Sequence, residues 1–258
     1  MSTLEEGRLS PPRTEDVMSL RQISIIVPIH NDAAVLPSTL ASLKKALGTT
    51  GKDYEILLAE DGSTDESQAV AERLRMDDTI LLHSPIRLGK GAAISAAIRA
   101  ASAPVVVFTD ADVSADLSVL PVLIREIENG ADISVGSRLL ADSGVVGRST
   151  IRELSSRGYN LMVRLLFRTA IHDHQCGLKA FRKSSILPLL TEVKATSWFW
   201  DTELLIRAQA KALKVSEIPI HWVERGSTHI RFHRDVPVLA LSLLMLRFRL
   251  STDGLLAH

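Results

Sequence analysis

The sequence predicts an α/β domain built on a mostly parallel central sheet with helices on both faces. Three observations predict it. Short runs rich in Val and Ile, such as Ile23-Ser24-Ile25-Ile26-Val27 and Val105-Val106-Val107-Phe108, are apolar without the alternation of a half-exposed strand. Between such runs lie segments whose apolar residues recur at helical spacing, so strand and helix alternate along the chain. Polar clusters follow the strands, namely His30-Asn31-Asp32, Glu60-Asp61-Gly62-Ser63 and Asp110-Ala111-Asp112, at the carboxyl ends where such sheets hold ligands.

Taken in order, the first strand runs from Ile23 to Ile29, with Pro28 near its end. Leu36, Leu40, Leu43 and Leu47 mark one face of a helix that Gly48 closes. A second strand, Tyr54 to Ala59, is followed by a helix from Asp65 to Arg75 and a third strand from Ile80 to His83. Leu88-Gly89-Lys90-Gly91 opens an Ala-rich helix that reaches Ala101, and Val105 to Phe108 is the fourth strand, with a helix beginning near Asp116. Asp132-Ile133-Ser134-Val135 forms a fifth strand, ending in Gly136-Ser137-Arg138. The segment Asp142 to Gly147 is expected to be a mobile loop. A helix from Thr150 to Arg168 carries Arg157, Arg164 and Arg168 near one face and Leu161, Leu165 and Leu166 near another. A strand from Gly177 to Arg182, helices from Ser184 to Leu190 and Trp200 to Leu213, and a strand from Val215 to Val223 follow. The tail, Val236 to Leu250, is an apolar helix with Arg247 and Arg249 near its end.

A chain of 258 residues, 46% of them hydrophobic, can bury one substantial core. We expect a loose tail over 1–20, without the apolar stretch of a signal peptide, and one domain over 21–258. Thirty basic residues balance thirty acidic ones, so no global field draws nucleic acid. The single cysteine, Cys176, excludes a disulfide framework and suits a reducing cytoplasm. No apolar run approaches the roughly 20 residues that span a bilayer, so the protein is expected to be cytoplasmic, soluble or peripheral on the inner face of a membrane.

Asp110 and Asp112 supply two hard oxygen ligands at the end of a buried strand, a place to hold Mg²⁺ or Mn²⁺ together with substrate phosphates. The alternative is a solvated Asp-rich turn that caps the following helix. Gly89-Lys90-Gly91 lacks the third glycine of a dinucleotide fingerprint and the frame of a P-loop. It reads as a helix N-terminus near the phosphates or ribose of a bound nucleotide or as close packing of that helix on the sheet. His172, His174 and Cys176 lack a fourth spaced zinc ligand, and Cys176 reads as a small core residue.

Several segments, in this order, resemble the GT-A glycosyltransferases of family 2, in particular the polyprenyl-phosphate (dolichyl-phosphate) glucose and mannose synthases. They are Ile26-Val27-Pro28-Ile29-His30-Asn31-Asp32, Glu60-Asp61-Gly62-Ser63-Thr64-Asp65, Arg87-Leu88-Gly89-Lys90-Gly91-Ala92-Ala93, Thr109-Asp110-Ala111-Asp112, Val135-Gly136-Ser137-Arg138, Gln175-Cys176-Gly177-Leu178-Lys179-Ala180-Phe181 and Trp200-Asp201-Thr202-Glu203-Leu204-Leu205. Two departures bear on the acceptor. Asp173-His174-Gln175-Cys176-Gly177 stands where relatives commonly carry Asp-Thr-Gln-Cys-Gly, and Gly226-Ser227-Thr228-His229 lacks a lysine that often follows the serine.

The resemblance implies a metal-dependent, inverting transfer from a nucleotide diphosphate sugar, a UDP-sugar first and GDP-mannose second. It implies a nucleotide-sugar half over 21–135 and an acceptor half over 136–258. Asp112 would ligate the metal and Asp110 would meet the ribose or the metal's water shell. Asp61 would contact the base, with Pro28, His30 and Asp32 lining the same edge and Lys90 and Gln175 on the donor side. Asp201 and Glu203 resemble an acceptor-side acidic pair, with Asp201 the general base if the acceptor requires one. Arg138, Arg225 and Arg231 are candidates for gripping phosphate, because guanidinium forks match phosphate oxygens. Polyprenyl phosphate is the nearest acceptor analogy, a soluble or carrier-bound small acceptor the alternative, and nucleotidyl transfer the alternative of another class. The basic helix near Arg157 to Arg168 and the apolar tail are expected to lie on a bilayer surface, to pack on the body of the enzyme or to form a homodimer interface.

Overall fold

The structure, a computed structural model, describes residues 21–224 and 232–252, with backbone alone for 232–237. The expected tail over 1–20 and the phosphate candidates Arg225 and Arg231 lie outside the described residues.

A central sheet of seven strands combines β1 (Ile23–Ile29), β2 (Tyr54–Asp61), β3 (Thr79–Ser84), β4 (Val105–Thr109), β5 (Ile133–Ser137), β7 (Leu178–Arg182) and β8 (Val215–Pro219) in the order β3-β2-β1-β4-β7-β5-β8. Between β5 and β7 the chain forms β6 (Gly144–Val146), and after β8 it forms β9 (His221–Val223). Every residue of β1 and β4 is buried, as continuous apolar strands require when both sheet faces are covered. The covering helices are α1 (Leu36–Gly48), α2 (Ser67–Arg73), α3 (Lys90–Ala100), α4 (Leu120–Glu128), α5 (Thr150–Phe167), α6 (Lys183–Leu189), α7 (Trp200–Ala210) and α8 (Phe232–Thr252). A short 3₁₀ turn, Leu117–Val119, leads into α4, and the Asp116 side chain caps it by accepting the Ser118 N–H at 2.9 Å. At the centre of the sheet Phe108 stacks on Phe181, ring centroids 6.0 Å apart, and meets Trp200 edge-on at 6.2 Å.

The parallel arrangement has one exception that decides the site. β7 runs antiparallel to both β4 and β5, pairing Thr109 with Leu178 and Val135 with Lys179. Because β7 is reversed, the loop before it, not after it, reaches the edge where β1, β2 and β4 end. Residues 173–177 are thereby delivered to the side of Asp110.

Two expectations are corrected. The segment expected to be a mobile loop contains β6, which pairs in parallel with β9 and is tied by the Ser143 hydroxyl donating to the Ser137 carbonyl at 2.7 Å. The single strand expected over 215–223 is two. Its first part joins the central sheet and ends at Pro219, which has no N–H to continue the ladder, and its second part turns into the small β6-β9 sheet. In α5 the core-facing residues are Ser156, Asn160, Val163 and Phe167, while Leu161 and Leu165 face outward.

Candidate active site

The ends of β1 and β2 are stitched into one polar ledge. Asn31, held at φ 62°, accepts the N–H groups of Thr64 and Asp65 on its side-chain oxygen at 2.8 and 3.2 Å, and its own N–H donates to the Ser63 hydroxyl at 3.1 Å. The Asp32 carboxylate accepts the His30 N–H at 2.9 Å, and the Asp32 N–H donates to the Ser67 hydroxyl at 2.8 Å. The His30 ring nitrogen Nδ1 lies 2.8 Å from the Asp61 carbonyl. Pro28 is buried in β1 beside Ala59. Glu60 lies beneath this ledge. Its burial works against ionisation, but hydrogen bonds from Ser63 and from the His83 imidazole at 2.5 Å outweigh it and lower its pKa.

Asp61 is buried, and both carboxylate oxygens accept backbone N–H groups, Oδ1 from Leu88 at 2.6 Å and Oδ2 from Gly89 at 2.8 Å. The residue expected to meet a base thus also fixes the loop that opens α3. That loop is tightly packed: a Cβ on Gly89 would lie 2.4 Å from the Thr196 carbonyl oxygen, and one on Gly91 would lie 2.3 Å from the Trp200 Cβ. Close packing accounts for both glycines. It brings Lys90 to the β4 edge, where its ammonium lies 2.5 Å from Asp110 Oδ1 and 4.6 Å from the Trp198 ring centroid. Burial works against the charged amine, but Asp110, Asp201 and Asp112 outweigh it and raise its pKa.

Asp110 and Asp112 are each half-buried. The Asp112 carboxylate accepts the Ser114 N–H at 3.2 Å and its hydroxyl at 2.8 Å. The Asp110 N–H donates to the Gly177 carbonyl at 3.0 Å, and a Cβ on Gly177 would sit 2.0 Å from Asp110 Oδ2. Only glycine leaves room for that carboxylate. Among the described residues no three His, Cys, Asp or Glu side chains converge as a metal-binding group. Two adjacent half-buried carboxylates without a third fit an ion that completes its shell with water and phosphate, as Mg²⁺ and Mn²⁺ do.

The loop before β7 carries a second set of charges. Arg138 at the end of β5 is expected to grip phosphate, but its fork is engaged by Asp173, Nε at 2.7 Å from Oδ2 and Nη2 at 2.9 Å from Oδ1. The pair is buried, and the guanidinium stacks 5.0 Å over the Trp222 ring. Burial would raise the Asp173 pKa, but the Arg138 charge and hydrogen bonds hold the carboxyl down to about 2. Gln175 is half-buried and its N–H donates to Asp173 Oδ1 at 3.2 Å. His172 pairs with Glu217 and His174 with Asn160, so neither shares a ligand with Cys176, which is fully buried and whose thiol burial pushes up to about 12.

Asp201, in the first turn of α7, is buried and faces Lys179 of β7, whose ammonium lies 2.6 Å from Asp201 Oδ1 and 2.6 Å from the Cys176 carbonyl. Glu203 does not join this cluster. It is fully buried on another side of α7, accepting the Ala195 N–H at 2.8 Å and Arg207 Nε at 2.9 Å. The structure therefore brings together Asp61, Lys90, Asp110, Asp112, Asp201 and Arg138 with three residues not singled out in advance: Lys179, Asp173 and Trp198. Lys179 had a signal, because a lysine inside Leu178-Lys179-Ala180-Phe181 on a buried strand demands an acidic partner.

Comparison with known proteins gives the family and the fold. The family model for glycosyl transferase family 2 matches residues 24–188. The chain is 36% identical over 220 residues to "Glycosyltransferase AglD" of Haloferax volcanii, covering 83% of this chain and 35% of that protein. It is 30% identical over 229 residues to "Dolichyl-phosphate beta-glucosyltransferase" of Drosophila melanogaster, covering 83% of this chain and 70% of that protein. Among solved structures, glucosyl-3-phosphoglycerate synthase from Mycobacterium tuberculosis in complex with UDP superposes with a TM-score of 0.65 at 18% identity, over 91% of this chain and 80% of that one. The same enzyme with Mn²⁺, UDP and glucosyl-3-phosphoglycerate gives a TM-score of 0.63 at 19% identity over the same shares of the two chains. The fold is that of the GT-A glycosyltransferases. With its matching motifs gathered at one carboxyl edge of that sheet and the family model spanning most of the chain, the protein belongs to glycosyl transferase family 2.

Proposed function

We propose that this chain moves a hexose, with inversion, from a nucleotide diphosphate sugar to a polyprenyl phosphate, UDP-sugar being the favoured donor and GDP-mannose the second. One observation carries the reading: the reversed β7 sets the 173–177 loop, Lys179 and Asp201 against the Asp110-Ala111-Asp112 end of β4. A donor edge of carboxylates and Lys90 and a charge-lined acceptor edge are thereby joined at one point. The relative from Drosophila melanogaster, named for transfer to dolichyl phosphate, supports this acceptor class. The complexes of the Mycobacterium tuberculosis enzyme with UDP and Mn²⁺ support the donor and ion. Membership in family 2 leaves the nucleotidyl-transfer reading without support.

Asp112, with Asp110 beside it, would hold Mg²⁺ or Mn²⁺, which when bound stabilises negative charge on the departing diphosphate. The Asp61 carboxylate holds the Leu88-Gly89 turn, and with it the ledge where the nucleoside rests. An acceptor phosphate monoester has a second pKa near 6, so at pH 7 its oxygen attacks the anomeric carbon already deprotonated. The bond from that carbon to the diphosphate breaks and the nucleoside diphosphate leaves. No general base is needed. Asp201, held by a buried lysine, then positions the acceptor side of the site rather than taking a proton.

The test is a screen of nucleoside diphosphate release from UDP- and GDP-sugars with polyprenyl phosphate present or absent. Release that depends on the lipid phosphate supports the reading, and equal release to a soluble phosphate ester assigns the acceptor to the soluble class.

A further inference from the structure

The first turn of α3 is tied to residues 196–200. The Ala92 N–H donates to the Thr196 carbonyl at 3.1 Å, Gly91 packs against the Trp200 side chain, and the Trp200 indole N–H donates to the Ser95 hydroxyl at 2.8 Å. Lys90 therefore starts from a fixed point and reaches the end of β4 along a flexible four-carbon stem. Its ammonium lies 2.5 Å from Asp110 Oδ1, 4.6 Å from the Trp198 ring centroid and 5.8 Å from that of Phe108. The other oxygen of this carboxylate, Oδ2, is packed against Gly177.

Two lysines serve this end of the sheet, and they differ in freedom. Lys179 is fully buried, its ammonium divided between Asp201 and the Cys176 carbonyl. The Lys90 side chain is partly open to solvent, and Trp198 beside it is 45% exposed. An ammonium that leaves Asp110 therefore keeps an accessible indole face to rest on. Charge makes such an exchange consequential. Asp110, Asp112 and Asp201 all act on Lys90, and Lys90 and Lys179 together offset two of these three negative charges. With Lys90 withdrawn, two negative charges are left, the complement of a divalent cation. A hard cation on Asp110 Oδ1 and an ammonium 2.5 Å from the same oxygen are like charges meeting across one atom, and they repel. One of them must yield.

We propose that Lys90 competes with the divalent metal for Asp110 and so sets how tightly this end of β4 binds the ion. The proposal rests on the reading that Asp110 and Asp112 hold the metal. Lys90 is then a positioning residue with two resting places, the Asp110 carboxylate and the Trp198 ring, and metal binding moves it from the first to the second.

The test measures Mn²⁺ binding to the full chain by electron paramagnetic resonance, without nucleotide. Lys90→Gln is expected to bind Mn²⁺ at least about fivefold more tightly than wild type, the lower end of an ordinary coupling between two ligands. Lys90→Arg, which keeps the charge, is expected to show no such gain, and Asp112→Ala in the Lys90→Gln background should remove the tight site. Mg²⁺ should alter tryptophan emission in the wild type as the ammonium moves over Trp198, and this change should vanish in Trp198→Phe and in Lys90→Gln. Mn²⁺ affinity that is equal or weaker in Lys90→Gln, while Asp112→Ala still abolishes binding, overturns the competition and leaves the metal site standing. Emission that stays unchanged at Mg²⁺ concentrations that displace bound Mn²⁺ overturns it too. A chain that takes up no Mn²⁺ in either form removes the metal reading together with this one.

Discussion

Replacing Lys179 with methionine tests the centre of the site without changing its volume much. Lys179 is fully buried, and its ammonium is shared between the Asp201 carboxylate and the Cys176 carbonyl, each at 2.6 Å. Removing the cation strands a carboxylate that is 4% exposed, and breaking one partner of a buried pair costs about 3 to 5 kcal/mol. The orphaned Cys176 carbonyl lies within the same loss. For a chain of this size, about 2 to 4 °C per kcal/mol converts that into a melting temperature lower by roughly 6 to 20 °C. The double variant Lys179→Met with Asp201→Leu removes both charges and is expected to recover most of the loss, because a buried pair replaced as a unit by apolar residues is often near neutral. Calorimetry or denaturant titration of the two single variants and the double variant gives the coupling directly. A Lys179→Met protein within about 1 kcal/mol of wild type would show that the ion pair does not hold α7 to β7, and the reasoning from burial would fail. A further variant separates the roles of Asp201: Asp201→Asn costs less than about tenfold in rate if the residue positions the acceptor, and roughly 10²-fold or more if it removes a proton.

Three further outcomes are expected. Asp112→Ala should lower transfer by roughly 10²- to 10³-fold with an unchanged circular dichroism spectrum, and Mn²⁺ binding followed by electron paramagnetic resonance should weaken in parallel. Gly177→Ala should displace the Asp110 carboxylate, whose Oδ2 lies 2.0 Å from the required Cβ position, and reduce donor binding measured by calorimetry. Buried His174, with Nδ1 3.0 Å from Asn160 Oδ1, is held neutral: burial pushes its pKa down to about 3. A folded pKa below the unfolded value means stability that is present above pH 6.5 and lost as pH falls toward 3. Unfolding free energy should therefore fall by up to about 1.4 kcal/mol per pH unit below pH 6, and His174→Gln should remove that slope.

Much of the fold was legible because its strands are short, β-branched and buried on both faces, which leaves a parallel sheet as the simplest arrangement. The three polar clusters at strand ends fall along one edge of the sheet for the same reason. The reversal of β7 was not legible, since periodicity reports burial and is indifferent to strand direction. The contacts of the 173–177 loop were hidden as a consequence. Arg138 looked like a free fork until the reversed strand set Asp173 against it. Asp201 and Glu203, two apart on one helix, point to different partners, so one lies in the site and the other braces residues 194 and 195. Leu161 and Leu165 marked one face of α5 without saying what it meets, and the face that is buried carries Ser156 and Asn160, with Asn160 accepting the His174 N–H at 2.9 Å. Periodicity could not foresee a polar contact made across elements.

The most direct measurement is the rate of nucleoside diphosphate release from UDP-glucose, taken with a prenyl phosphate and with the corresponding free prenol as sole acceptors. The account predicts release with the phosphate, a rising pH limb near 6 set by the acceptor's second ionisation, and none above background with the alcohol. Transfer to the alcohol at a comparable rate, lost in Asp201→Asn, would contradict it and make Asp201 a general base.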